Sequence, residues 1–283
     1  MIPMPEVVSS PAVSAIDLSI KFRQRGSTPV PPAVSGATFQ IRRGETLAVI
    51  GESGSGKSAL ATVLAAEGDL DVPASPRITG GSVTVLGTQL RRVHDGKRNR
   101  LAPRIGYVPQ GAGSHLVPHL TAGESIAEPI FERERKFNQR RAGMIVATLV
   151  DAVRLPMGTM NKFPYELSAG QRQRIAIARA LVLEPELLVA DDPTSGVDLT
   201  ARPAIIDIIH ELQKDLDFSA FVVTSNLHEV QNLSNRVLVM YHGIVVGNGD
   251  LDEVLANPHH PYVETLARTR TLGRELEDTS PKG

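Results

Sequence analysis

The sequence predicts an α/β fold with a parallel-sheet core, and three stretches carry that prediction. "TLAVIGESGSGKSALATVLAA" (46–66) reads as a strand, a glycine-rich turn and a helix in succession. "LLVAD" (187–191) is an apolar run of strand length that ends in a carboxylate. Residues 181–250 alternate strand-like and helix-like segments, the pattern of a parallel sheet with crossover helices.

The totals accommodate that fold and exclude several others. A chain of 283 residues can bury a sizeable core. Its 41% apolar and 22% charged content is ordinary for a globular protein. A formal net charge of −1 gives no sign, in the total, of a nucleic-acid or anionic-lipid partner. Without cysteine there can be no disulfide, thiolate metal site or Fe–S cluster. No apolar run approaches the ~20 residues that span a bilayer. "MIPMPEVVSSPAVSAI" at the N-terminus lacks the basic start and continuous apolar stretch of a signal peptide. The expectation is a cytosolic chain, or one held at a membrane through a partner.

The first element in order is the strand at Thr46–Ile50, and residues 51–58 directly after it fit G-x-x-x-x-G-K-[ST]. The predicted nucleotide contacts are Gly51, Glu52, Ser53, Gly54, Ser55, Gly56, Lys57, Ser58 and Ala59. Glycines let backbone N–H groups curl around phosphates, and the next helix directs its positive end at the anion. Lys57 would reach the β- and γ-phosphates and Ser58 would ligate Mg2+. A Gly/Ser-rich turn that happens to hold a lysine would not account for the strand and helix that flank it. Asp191, at the end of its strand, would hold the same Mg2+ through water. The plainer alternative is an aspartate that caps a helix.

"YELSAGQRQRIAIARALVLEPELLVADDPTSGVD" (165–198) resembles the nucleotide-binding subunit of ATP-binding cassette (ABC) transporters. Leu167-Ser168-Ala169-Gly170-Gln171 is similar to the signature of that family, usually LSGGQ, with an added methyl at Ala169. Gln110, which closes "RIGYVPQ", resembles the Q-loop residue and a further metal contact. Asp198 resembles the D-loop aspartate, and Phe22 in "LSIKF" the aromatic that stacks on adenine. The resemblance runs from about 14 to 265 with its motifs in the expected order. It implies a P-loop NTPase (RecA-like) core over 14–250, between an N-terminal extension (1–13) and a C-terminal one (251–283). It also implies an antiparallel β-subdomain from residues 14–50 and "GGSVTVLG" (80–87), and an α-helical subdomain over about 113–165. "RERKFNQRRAGMIVATLVDAVRL" is rich in helix formers, and the tail ending "ELEDTSPKG" reads as polar and frayed.

In the family, the signature serves the ATP of a second cassette, so Ser168, Ala169, Gly170 and Gln171 are expected to act on a companion subunit. "RITGGSV", "LTAGESIAEPI" and "NPHHPYVETLA" resemble the oligopeptide, dipeptide and nickel importer branch. That implies two transmembrane permeases, an extracytoplasmic solute-binding protein, and a place on the cytoplasmic face of the membrane. A groove around "GAGSHLVPHL" would receive a short permease helix. Adjacent His259 and His260 make a poor chelate by themselves, and the family match accounts for them better than a metal does.

Two positions depart from the pattern. The residue after Asp191 is glutamate in a hydrolysing cassette and is Asp192 here, its carboxylate about 1.5 Å closer to the backbone. A ~1 Å misplacement can cost on the order of 100-fold in rate. After "SAFVVT" the family has a histidine that contacts the γ-phosphate, and this chain has Ser225. His228 is expected at the surface rather than as a substitute. The expectation is an asymmetric heterodimer in which this chain's own site binds ATP but turns over slowly. The rival readings are a soluble ABC ATPase without permeases, a non-catalytic nucleotide-binding regulator, and a small-molecule kinase. The absent coiled-coil insertion and the signature segment weigh against the first and the last.

Overall fold

The computed structural model describes residues 10–22, 31–68 and 75–278, with side chains to 271. Most of the N-terminal extension (1–9) and the last residues of the tail (279–283) lie outside the described residues.

In chain order the elements are β1 (Val13–Phe22), β2 (Val34–Ile41), β3 (Thr46–Gly51), α1 (Lys57–Leu64), β4 (Pro76–Val85), β5 (Thr88–Gln89) and α2 (Asp95–Leu101). Then come β6 (Ile105–Val108), α3 (Ala122–Arg133), α4 (Gln139–Ala152), α5 (Ala169–Leu181), β7 (Leu187–Asp191) and α6 (Arg202–Leu216). The chain ends with β8 (Ser219–Thr224), α7 (Leu227–Leu233), β9 (Arg236–Tyr241), β10 (Ile244–Asp250), α8 (Leu251–Ala256) and α9 (Pro261–Asp278).

Two sheets form. One has the order β10-β9-β3-β8-β7-β6, parallel throughout except for the antiparallel edge strand β10. The other, β2-β1-β4-β5, is antiparallel. β7 and β8 are buried at every residue. Helices cover both faces of a parallel sheet, so such strands read as unbroken apolar runs. The antiparallel sheet shares a core with one face of the parallel sheet: Leu18, Phe39 and Val83 pack with Leu60 of α1 and Phe221 of β8. On the other face α3, α4, α5 and α6 join in a second core. These layers are the parallel core, β-subdomain and helical subdomain that the sequence led one to expect, with one correction. Residues 46–50, grouped there with the antiparallel β-subdomain, form β3 at the centre of the parallel sheet, because both of its neighbours pair with it in parallel.

The helix-former-rich stretch 133–155 is not one helix. α3 ends at Arg133, and the Asn138 side chain accepts the Arg141 N–H at 2.9 Å to start α4. Phe137 packs against the helical core between them. The tail is polar in composition, but its segment 251–267 is docked. Leu251, Leu255 and Val263 are buried with Val230 and Val239, because their spacing puts them on one face of α8 and α9.

Candidate nucleotide-binding site

Register places the site. Along the parallel sheet Ile50 pairs with Thr224, and Asp191 with Val223. The loops that leave β3, β7 and β8 therefore emerge side by side, at the carboxyl edge where open α/β sheets bind ligands. The phosphate loop, Asp191 with Asp192, and Ser225 belong to those three loops.

Backbone sterics dictate the glycines. A Cβ on Gly51 would collide with the Met240 carbonyl oxygen, and one on Gly56, at φ +98°, with that of Ala33. No other residue fits either position. Gly56 also caps α1 without a side chain, so no side-chain acceptor occupies the first N–H groups of that helix. Lys57 folds back on its own loop, its Nζ donating to the carbonyls of Gly51 (2.7 Å) and Glu52 (2.6 Å) and to Ser55 Oγ (3.2 Å). Burial lowers its pKa, against the raising pull of Asp191, Asp192 and Glu52.

Asp191 is 4% exposed. Burial pushes its carboxyl above the usual range and the neighbouring Asp192 charge adds to this, while a hydrogen bond from Ser58 and the Lys57 charge pull the other way. A buried carboxylate beside a hydroxyl is a pair of hard oxygen donors, and a divalent cation there would offset the cost of burying the charge. The residues present fit Mg2+. Among the described residues no group of three or more His, Cys, Asp or Glu could cage a metal, so phosphate oxygens and water would complete the coordination. His259 and His260 form no such group either; His260 Nδ1 accepts the Tyr262 N–H at 3.1 Å.

Asp192 takes a left-handed backbone, φ +50°. Its N–H donates to the Val223 carbonyl at 3.0 Å, and the Thr194 hydroxyl lies 3.4 Å from its Oδ1. Burial raises its pKa too, partly offset by Arg202, Thr194 and Lys57. Both carboxylates thus share the field of one lysine.

Sequence reasoning missed Glu229. It is buried on α7, where its carboxylate accepts from Thr194 Oγ1 (3.0 Å) and Thr224 Oγ1 (2.5 Å). Thr224 also accepts the Asn226 N–H at 3.0 Å. One carboxylate thereby ties the loop that carries Asp192 to the loop that carries Ser225. The available signal was an acid amid Leu227, Val230 and Leu233 on the buried side of a helix.

Among the described residues the remaining positions make no hydrogen bond to Lys57, Asp191 or Asp192. Ser225 and His228 are exposed, and the Ser225 hydroxyl makes no hydrogen bond among the described residues. Gln110 is exposed just beyond β6, and Phe22, at the end of β1, is 47% exposed. Ser168 caps α5 in a reciprocal box: its Oγ accepts the Gln171 N–H (3.2 Å), and its own N–H donates to Gln171 Oε1 (2.9 Å). Gly170 faces Val197 and Ala201, which brackets exposed Asp198 into the same surface. Among the described residues no hydrogen bond or ion pair joins the 167–171 segment to the phosphate loop.

The family and the fold have known counterparts. The ABC transporter family matches residues 34–195. The oligopeptide transport ATP-binding protein OppD of Bacillus subtilis is 36% identical, over 93% of this chain and 73% of its own length. OppF of Escherichia coli is 36% identical over 83% of this chain and 68% of its own. The dipeptide transport ATP-binding protein DppF of Escherichia coli is 32% identical over 92% and 76%. A dimeric post-hydrolysis structure of the ATP-binding cassette MJ0796, bound to ADP and Pi, superposes with a TM-score of 0.73 at 24% identity, over 84% of this chain and 98% of that one.

Proposed function

The chain belongs to the ABC transporter family, as an ATPase component, and from that premise we propose that it is the ATP-binding subunit of an importer for peptides or related small solutes, with a slow site of its own. It works at the cytoplasmic face of the membrane beneath two permeases fed by an extracytoplasmic solute-binding protein. Among the described residues no helix is long and apolar enough to cross a membrane, in keeping with attachment through partners. The relatives named for oligopeptide and dipeptide transport support the solute class.

One observation carries the reading: a preformed phosphate loop faces buried Asp191, beside a base position filled by the shorter Asp192. On ATP binding Lys57 exchanges its loop carbonyls for phosphate oxygens, the Gly51–Ala59 N–H groups and side chains line the triphosphate, and Phe22 stacks on the adenine. Mg2+ would be held by Ser58 and Asp191, with Gln110 as a further contact, and would supply charge neutralisation at the phosphate oxygens. Asp192 accepts the proton of the attacking water or orients it, from too far back. Ser225 offers one short hydroxyl near the γ-phosphate.

Ser168, Ala169, Gly170, Gln171 and Asp198 act on the ATP of a companion cassette. Tyr165 and Leu199 flank them at 76% and 75% exposure, an apolar rim that a companion would cover. A companion with an intact glutamate and histidine makes the pair a heterodimer with one fast pocket. Two copies of this chain would have two slow ones. Closure on ATP and opening after hydrolysis move the permeases. The contact is a groove of about 610 Å3 lined by Tyr107, Pro109, Leu116, Val117 and Pro129, which includes part of "GAGSHLVPHL".

Steady-state ATPase of the purified chain tests the slow site. The chain alone turns over poorly, and Asp192→Glu raises its rate about 10-fold or more by returning the carboxylate to reach. Brisk turnover of the unaltered chain would contradict the proposal.

A further inference from the structure

The near-neutral total conceals a local excess of positive charge. "LRRVHDGKRNRLAPR" (90–104) carries Arg91, Arg92, Lys97, Arg98, Arg100 and Arg104 against the single acid Asp95, in a chain of net charge −1. The fold gathers these cations instead of dispersing them. Arg91, Arg92, His94, Lys97, Arg100 and Arg104 line one open groove of about 670 Å3 between β5 and β6. Arg104 is paired with Glu186, and Arg91 donates to the carbonyls of Gly81 and Thr79. Arg92, Lys97 and Arg100 are exposed and make no ion pair among the described residues. Arg92 even takes a left-handed backbone, φ +57°, where glycine or asparagine would be less strained.

Position adds to the charge. The α2 segment separates this groove from the one assigned above to the permease. Asn99, Ala102 and Pro103 line the permease groove, while Lys97, Leu101 and Arg104 line the basic one. A subunit docked beneath an integral membrane protein by one side of this segment presents the other side close to the lipid surface. Unpaired, flexible cations in an open groove suit a field of many phosphates better than a single shaped ligand. We propose that this groove binds the anionic phospholipid headgroups of the cytoplasmic leaflet beside the permease, an inference that rests on the importer reading. The contact would hold the subunit near the membrane and set its tilt.

Co-sedimentation of the full chain with vesicles tests it, using phosphatidylcholine alone or mixed with phosphatidylglycerol. The chain binds the mixed vesicles, and raised salt releases it because such attraction is screened. The triple variant Arg92→Gln/Lys97→Gln/Arg100→Gln loses on the order of 100-fold in affinity, about 1 kcal/mol for each cation. The control Arg135→Gln/Lys136→Gln/Arg140→Gln, the same charge change at exposed residues around the start of α4, binds as the unaltered chain does. Equal binding to both vesicle types, or equal losses in both variants, would overturn the proposal. Displacement by millimolar inorganic phosphate would overturn it in favour of a small-anion site. Binding of a polyglutamate peptide with no binding to the mixed vesicles would overturn it in favour of an acidic protein partner. Co-purification with the permeases separates the two readings: an unaltered chain that retains its permeases yet fails to bind the mixed vesicles defeats this inference alone, and an unaltered chain that brings down no permeases defeats the importer reading.

Discussion

Asp191 is a nearly fully buried acid in the site. Its carboxyl is raised by burial and by the charge of Asp192, with only Ser58 and Lys57 to counter them. A carboxyl raised in the folded state holds more protons there than in the unfolded chain, so its contribution to stability falls as pH rises, and the full penalty is felt above the raised pKa. Asp191→Asn removes that penalty. The nucleotide-free variant should unfold at a higher temperature than the unaltered chain at pH 7. The gain should vanish at a pH low enough to protonate Asp191 in both states. The same variant should lose the Mg2+-dependent part of the stabilisation by ATP, which at 100 times the Kd is about 2.7 kcal/mol for a binding-competent site. Thermal unfolding with and without Mg2+ and ATP reads both effects. In the unaltered chain Mg2+–ATP binding weakens as pH falls through the raised pKa, because the neutral acid is a poor ligand.

At the scale of elements, Glu229 on α7 decides how the loops after β7 and β8 sit relative to one another. It binds hydroxyls from both, and Thr194 and Thr224 are each nearly fully buried. Glu229→Ala strands two buried hydroxyls and should cost about 2 kcal/mol or more in urea unfolding, whereas Glu229→Gln retains an acceptor and costs less. Legibility divides along the same line. Strands β3, β7 and β8 were plain in the sequence, since strands covered on both faces are continuous apolar runs with the functional residues just beyond their ends. Glu229 was not, because its partner Thr194 is 35 residues away and only register brings them together. The docking of the tail was partly legible in the spacing of Leu251, Leu255 and Val263, but polar neighbours dominate its average. The break between α3 and α4 lay hidden in helix formers, signalled only by Asn138 at a capping position.

For the whole molecule, the informative feature is what one chain leaves unfinished. The phosphate loop, Asp191 and Asp192 converge within it, while Ser168, Gly170 and Asp198 share a separate exposed surface beside Tyr165 and Leu199. Sequence order could supply the two sets of residues but not their separation, which depends on how α5 packs across the helical core. The basic groove was obscured in a similar way, its local excess cancelled in the total by acids elsewhere. The central claim is that this chain completes a fast pocket on an unlike companion while its own pocket lags. The most direct measurement is ATP turnover of the assembled heterodimer after the companion's catalytic glutamate alone is changed to glutamine. The account predicts that nearly all turnover is lost although Asp192 is untouched; a rate that stays unchanged would contradict it.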